Sequence, residues 1–98
     1  MNIVNLDIVD NFKLKHSNSR NALDIFVNIL KNTQCNNTNE LKKTFSSVDF
    51  VRRCTIFDVG GNKYRVIAKV NYVLNVVSIK YVFLHSDYEK WSKKNECC

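Results

Sequence analysis

Gly60-Gly61-Asn62 is the feature that most narrows what this chain can become, because it lies between two long β-prone runs. Glycine and asparagine accept the positive φ angles of a tight reversal, so the pattern predicts a hairpin with strands of about 52–59 and 63–73. A second reversal near Leu74-Asn75 leads into a strand from Val76 to Leu84. Side chains alternate along a strand. With the first turn on Gly60-Gly61, Phe57 faces Tyr64; with it on Gly61-Asn62 the partners move by two and the faces are kept. With the second turn at Leu74-Asn75, Val66 faces Phe83, Ala68 faces Tyr81, Val70 faces Ile79 and Tyr72 faces Val77. One face is then apolar and aromatic. The other carries Asp58, Lys63, Arg65, Lys69, Asn71, Ser78 and Lys80, with Ile56, Ile67 and Val82 among them.

The length of 98 residues and the 45% apolar content predict one domain spanning residues 1–98. The formal net charge of +6 is uneven: residues 1–50 carry 6 basic and 5 acidic groups, and residues 51–98 carry 9 and 4. The excess therefore falls in the half that holds the hairpins, as a polyanion-binding surface requires. No apolar run approaches the roughly 20 residues that cross a bilayer. Asp7 and Asp10 interrupt the opening stretch and argue against a signal peptide, so a cytoplasmic protein is expected. Cys35, Cys54, Cys97 and Cys98 lack the spacing of a zinc site, which leaves reduced thiols and no metal as the expectation.

Ahead of the hairpins, Met1 to Asn5 allows at most an edge strand. Asn5 is placed to cap a helix over Leu6 to Lys15, in which Ile8, Val9 and Phe12 share a face. Ser17-Asn18-Ser19 breaks it, and a second helix follows from Arg20 to Lys31 with Ala22, Leu23, Phe26, Val27 and Leu30 on one stripe. Asn32 to Asn39 reads as a loop, Glu40 to Phe45 as a short helix, Ser46 to Asp49 as the return to the sheet, and Ser86 to about Lys94 as a final helix. The predicted fold is α+β: N-terminal helices packed on a mainly antiparallel twisted sheet, with a short C-terminal helix.

The last strand ends in His85-Ser86-Asp87-Tyr88, with His85 expected opposite Tyr64. Cleaving RNA without a metal needs a base for the 2′-hydroxyl proton, cations for the charge on the phosphorus transition state, and an acid for the departing 5′-oxygen. Histidine changes charge near neutral pH and suits the first or last task. Lys63, Arg65 and Lys80 suit the second. Lys69, Arg52 and Arg53 extend the basic set as RNA-binding candidates.

At these residues the chain resembles the HigB family of toxins, within the RelE-like superfamily of type II toxin–antitoxin systems. The resemblance lies in the run from Ile56 through Gly60-Gly61-Asn62-Lys63-Tyr64-Arg65 to Ala68, and in Leu84-His85-Ser86-Asp87-Tyr88. It extends more loosely to the N-terminal helices and to Leu41 through Asp49. It implies the same compact α+β fold and a metal-independent, ribosome-dependent endoribonuclease that cuts translated mRNA by 2′-hydroxyl attack. It also implies neutralisation by a HigA-type helix-turn-helix antitoxin. By position, Lys63, Arg65 and Lys80 contact phosphate, while His85 and Tyr88 move protons or place the base. Three departures stand out. Asp58 takes the place of a common Asn and either orients a cation or weakens RNA binding. Lys80 replaces a common Arg and lacks the two-pronged phosphate contact. Thr44-Phe45-Ser46-Ser47 lacks a frequent proline. The alternative from a different class is a non-enzymatic RNA- or partner-binding module, a degenerate toxin that uses the same basic face.

Overall fold

The computed structural model describes residues 1–93. Along the chain lie β1 (Asn2–Val4), α1 (Leu6–Lys15), a 3-10 turn (Ser17–Ser19), α2 (Arg20–Lys31) and α3 (Thr38–Thr44). Then follow β2 (Asp49–Val51), β3 (Cys54–Val59), β4 (Tyr64–Asn71), β5 (Val76–Leu84) and α4 (His85–Lys93). The strands form one sheet ordered β1-β5-β4-β3-β2, antiparallel except where β1 joins β5. The architecture is α+β, as the residue pattern predicts.

Both long helices occupy their predicted spans because apolar side chains recur at helical spacing. Val9 of α1 and Leu23, Phe26 and Leu30 of α2 are buried on the sheet. Asn5 acts differently from a side-chain cap. Its φ is 67°, and its Nδ2 donates to the Ile79 carbonyl at 3.2 Å, which ties the start of α1 to β5. α3 is capped more conventionally: Asn37 accepts from the Glu40 amide at 2.9 Å, and Glu40 accepts from the Asn36 amide at 3.1 Å.

The hairpin turn takes three left-handed residues in a row, Gly60 (φ 66°), Gly61 (62°) and Asn62 (73°). Val59 pairs with Tyr64 and Phe57 with Val66, the register centred on Gly61-Asn62. Gly60 has a second reason to be glycine, since a Cβ there would sit 3.0 Å from the Tyr64 ring and 3.3 Å from Ala22. The chain reverses once more before β3 than the pattern predicts. Residues 49–51 form β2, and Arg52, at φ 56°, turns the chain into β3. Three exposed residues carry no alternation signal.

β5 corrects the predicted faces. Ala68 pairs with Ile79 and Ile67 with Tyr81, so Lys80 is an extra residue, a β-bulge. Because the side-chain period is two, one extra residue inverts everything after it. Val77 and Ile79 face the helices as expected, but Tyr81 and Phe83 turn to the opposite side and Val82 turns in. Tyr64 accordingly pairs with Leu84, and His85 instead donates its amide to the Lys63 carbonyl at 3.0 Å.

The sheet is thus covered on both sides. The main core joins Phe57, Val59, Val66, Ala68, Val77 and Ile79 to α1, α2 and α3. On the other side Cys54, Ile56 and Ile67 form a smaller cluster under Phe83 and under Tyr88 and Trp91 of α4. Cys35 is a buried free thiol, whereas Cys54 is disulfide-bonded, which corrects the expectation of reduced thiols at that residue. Cys97 and Cys98 lie outside the described residues. Among the described residues no helix is long and apolar enough to cross a membrane.

Tyr72 offers a test of this packing. Its hydroxyl is buried without a hydrogen-bond partner, and burial raises its pKa, with Cys35 adding to the rise. A phenol with a raised pKa supports folding fully below its ordinary value of about 10 and loses that contribution as pH climbs through the folded value. Urea midpoints are therefore expected to fall above about pH 10. Tyr72→Phe should flatten that limb without lowering stability at pH 7, because it removes an unsatisfied hydroxyl. A steeper alkaline loss in the variant would contradict the assignment.

Candidate functional site

On the face away from α1 and α2, Asp58 of β3 and Arg65 of β4 are direct cross-strand partners. Register brings Arg65 Nε to 2.7 Å from Asp58 Oδ1, with the side chains only 10% and 22% exposed. Nη1 donates to the carbonyls of Asn62 (3.2 Å) and Tyr64 (3.3 Å). A guanidinium so near burial persists because its charge is paired at Nε and its Nη1 donates to two carbonyls. Nη2 has no protein partner among the described residues. The guanidinium carbon lies 5.7 Å from the centroid of the Tyr88 ring, within cation–π range.

Tyr88 reaches this position because α4 lies across the outer face on an aromatic shelf. Tyr81 and Phe83 stack at 5.4 Å, Trp91 lies 5.6 and 5.9 Å from them, and Tyr88 lies 5.9 Å from Trp91. The bulge at Lys80 supplies the shelf by turning both β5 rings outward. The Tyr88 pKa is raised, first by burial and next by the Asp49 carboxylate, with Asp58 adding and Arg65 opposing. At neutral pH the group is a protonated phenol, suited to giving a proton or a hydrogen bond.

Asp58, Arg65 and Tyr88 line a cavity of about 350 Å³ together with Lys42, Ser46, Ser47, Val48, Asp49 and Ile56. Two cations and two carboxylates face it, so their formal charges cancel. The pairing of Asp58 with Arg65 leaves this part of the sheet face without an excess of positive charge. Lys42 of α3, Ser46 and Ser47 of the α3–β2 connection and Asp49 of β2 were not among the residues marked by the sequence. The turn-forming Ser46-Ser47 was visible, but nothing local shows that it borders the same cavity as Arg65 and Tyr88.

The structure brings Arg65 and Tyr88 together; the other marked residues stand around them. His85 opens α4, one turn before Tyr88, and its Nε2 lies 3.0 Å from Glu89 Oε1 with both side chains about half exposed. It is not a lining residue of the cavity. Lys63 is exposed in the hairpin turn, Lys69 is half-buried on β4, and Lys80 is exposed at the bulge. Arg52 and Arg53 form the exposed β2–β3 reversal. Among the described residues no three His, Cys, Asp or Glu side chains converge as a metal site.

Comparison with known proteins bears on the same elements. The HigB toxin family model, described as the RelE-like toxic component of a toxin–antitoxin system, matches residues 19–91, from the start of α2 into α4. The mRNA interferase HigB of Escherichia coli O6:H1 (strain CFT073) is 29% identical over 82 residues, which cover 81% of this chain and 80% of that protein. The family match spans every strand from β2 to β5 and both residues that meet over the cavity, and the chain therefore belongs to the HigB toxins, RelE-like toxic components of toxin–antitoxin systems.

Proposed function

We propose that this chain is an mRNA interferase, an endoribonuclease that cuts translated mRNA on the ribosome by attack of a 2′-hydroxyl on the neighbouring phosphate. The observation that carries the reading is Arg65, held at Nε and Nη1 by the protein with Nη2 uncommitted, beside a protonated Tyr88. The similarity to a protein named mRNA interferase HigB supports the reaction class. Attack forms the bond from the 2′-oxygen to phosphorus and breaks the bond to the 5′-oxygen, leaving a 2′,3′-cyclic phosphate and a 5′-hydroxyl. Arg65 and Lys42 hold the non-bridging oxygens as charge builds on them. The phenol of Tyr88 protonates the departing 5′-oxygen. His85, one turn away on α4, exchanges Glu89 for the substrate and takes the 2′-hydroxyl proton or places the base. Lys63, Lys69, Lys80, Arg52 and Arg53 hold flanking phosphates. No metal or cofactor takes part. The protein works in the cytoplasm, where translating ribosomes are, and a HigA-type helix-turn-helix antitoxin neutralises it.

Induction of the wild-type chain in bacterial cells tests the reading. Growth arrest with transcripts cut inside translated codons is the expected result; growing cells with whole transcripts would overturn it. The proton donor has its own test. Tyr88→Phe is expected to lower kcat about a hundredfold in single-turnover cleavage of a ribosome-bound message, within the range for a positioned acid. A substrate with a 5′-thio leaving group needs no such proton and should cut at nearly the wild-type rate. An equal defect on both substrates would remove Tyr88 from that role.

A further inference from the structure

We infer that Asp58 is a positioning residue for Arg65 that also restrains its attraction for phosphate; the inference rests on the proposed use of the cavity for RNA cleavage. An arginine side chain has many rotamers, and a guanidinium tied at one nitrogen still swings about that contact. Arg65 is tied at two. The contacts to the Asn62 and Tyr64 carbonyls both use Nη1 and are long, at 3.2 and 3.3 Å. The ion-pair contact of Nε with Asp58 Oδ1 is closer, at 2.7 Å, so it holds the fork on the side away from the two carbonyls. That hold decides where the uncommitted Nη2 stands relative to the Tyr88 ring.

The same carboxylate has an electrostatic effect of opposite sense. Asp58 and Asp49 line the cavity together with two cations, Arg65 and Lys42. A phosphate approaching Arg65 meets the field of its counter-ion as well, and both side chains are largely out of water, where such fields are weakly screened. The cavity is therefore built for orientation at the expense of raw anion affinity. Its substrate must be held by contacts outside it.

The two effects separate by substitution. Asp58→Asn keeps an acceptor of the same shape for Nε and removes the charge: KM should fall about threefold while kcat stays within about twofold. Asp58→Ala removes the acceptor as well, and kcat should fall about tenfold, the scale of a lost hydrogen bond to a charged group. A second readout does not depend on cleavage. In NMR spectra the Arg65 Nε–H should give a slowly exchanging resonance in the wild type and in Asp58→Asn, and exchange rapidly in Asp58→Ala. Unchanged kinetics in both variants of an active enzyme would overturn the inference, as would a protected Nε–H in Asp58→Ala. If the wild type cuts no RNA, the proposed reaction fails by itself. The Nε–H spectra then still decide whether Asp58 positions Arg65.

Discussion

Replacing Arg65 by alanine is expected to abolish growth arrest and lower cleavage about a thousandfold, the scale of losing a preorganised donor aimed at developing charge. A stability loss should accompany it. Removing one partner of a buried ion pair typically costs about 3–5 kcal/mol, because the other charge is left uncompensated. Asp58 keeps 22% of its side chain exposed, so the low end of that range applies. The two losses are separable. Arg65→Ala with Asp58→Ala should regain much of the urea midpoint, since no orphan carboxylate remains, and none of the cleavage. Arg65→Lys keeps a charge but not the fork that reaches Asp58, Asn62 and Tyr64 together. It should therefore fold better than alanine and still cut poorly. Wild-type cleavage by Arg65→Ala would remove the centre of the proposed mechanism.

Phe57→Ala is expected to cost about 3–5 kcal/mol, a large part of the 5–15 kcal/mol that usually stabilises a domain. Phe57 is 1% exposed, and its ring centroid lies 5.1 Å from that of Phe26 and 5.2 Å from that of Phe45. Those rings belong to α2 and to the residue that ends α3, so one side chain joins three segments. Phe45 directly precedes Ser46 and Ser47 of the cavity, and the loss should loosen that wall as well as the core. Phe57→Leu keeps most of the apolar volume and should lose far less. Urea unfolding followed by tryptophan fluorescence reads both variants; a change below about 1 kcal/mol for alanine would mean that the three rings do not act as one core.

How legible all this was depended on how local the cause was. α1 and α2 could be placed to the residue because their breakers and apolar spacing lie within one segment, although Asn5 caps nothing with its side chain. The Gly60-Gly61-Asn62 hairpin was equally plain. Its register was open by one step, and the contact of Gly60 with Tyr64 and Ala22 belongs to the folded state. The end of β5 misled because alternation has no mark for an extra residue: Val77, Ile79, Tyr81 and Phe83 look like one stripe, and only the pairing of Ala68 with Ile79 shows the break. The site divides in the same way. Arg65 and Tyr88 belong to the hairpin and to the strand end, where the chemistry was visible. Lys42, Ser46, Ser47 and Asp49 arrive from a segment with no local sign of where it folds.

The bulge at Lys80 separates the count of residues in β5 from the faces its side chains take. Deleting Lys80 would place Tyr81 directly after Ile79, and plain alternation would then keep Tyr81 and Phe83 outward and Val82 toward the helices, the faces they already hold. Deleting a residue that the ladder counts, such as Val82, would instead turn one of the two rings toward the helices and take from α4 part of the surface on which it rests. Working versions of the chain should therefore lose Lys80 more readily than Val82.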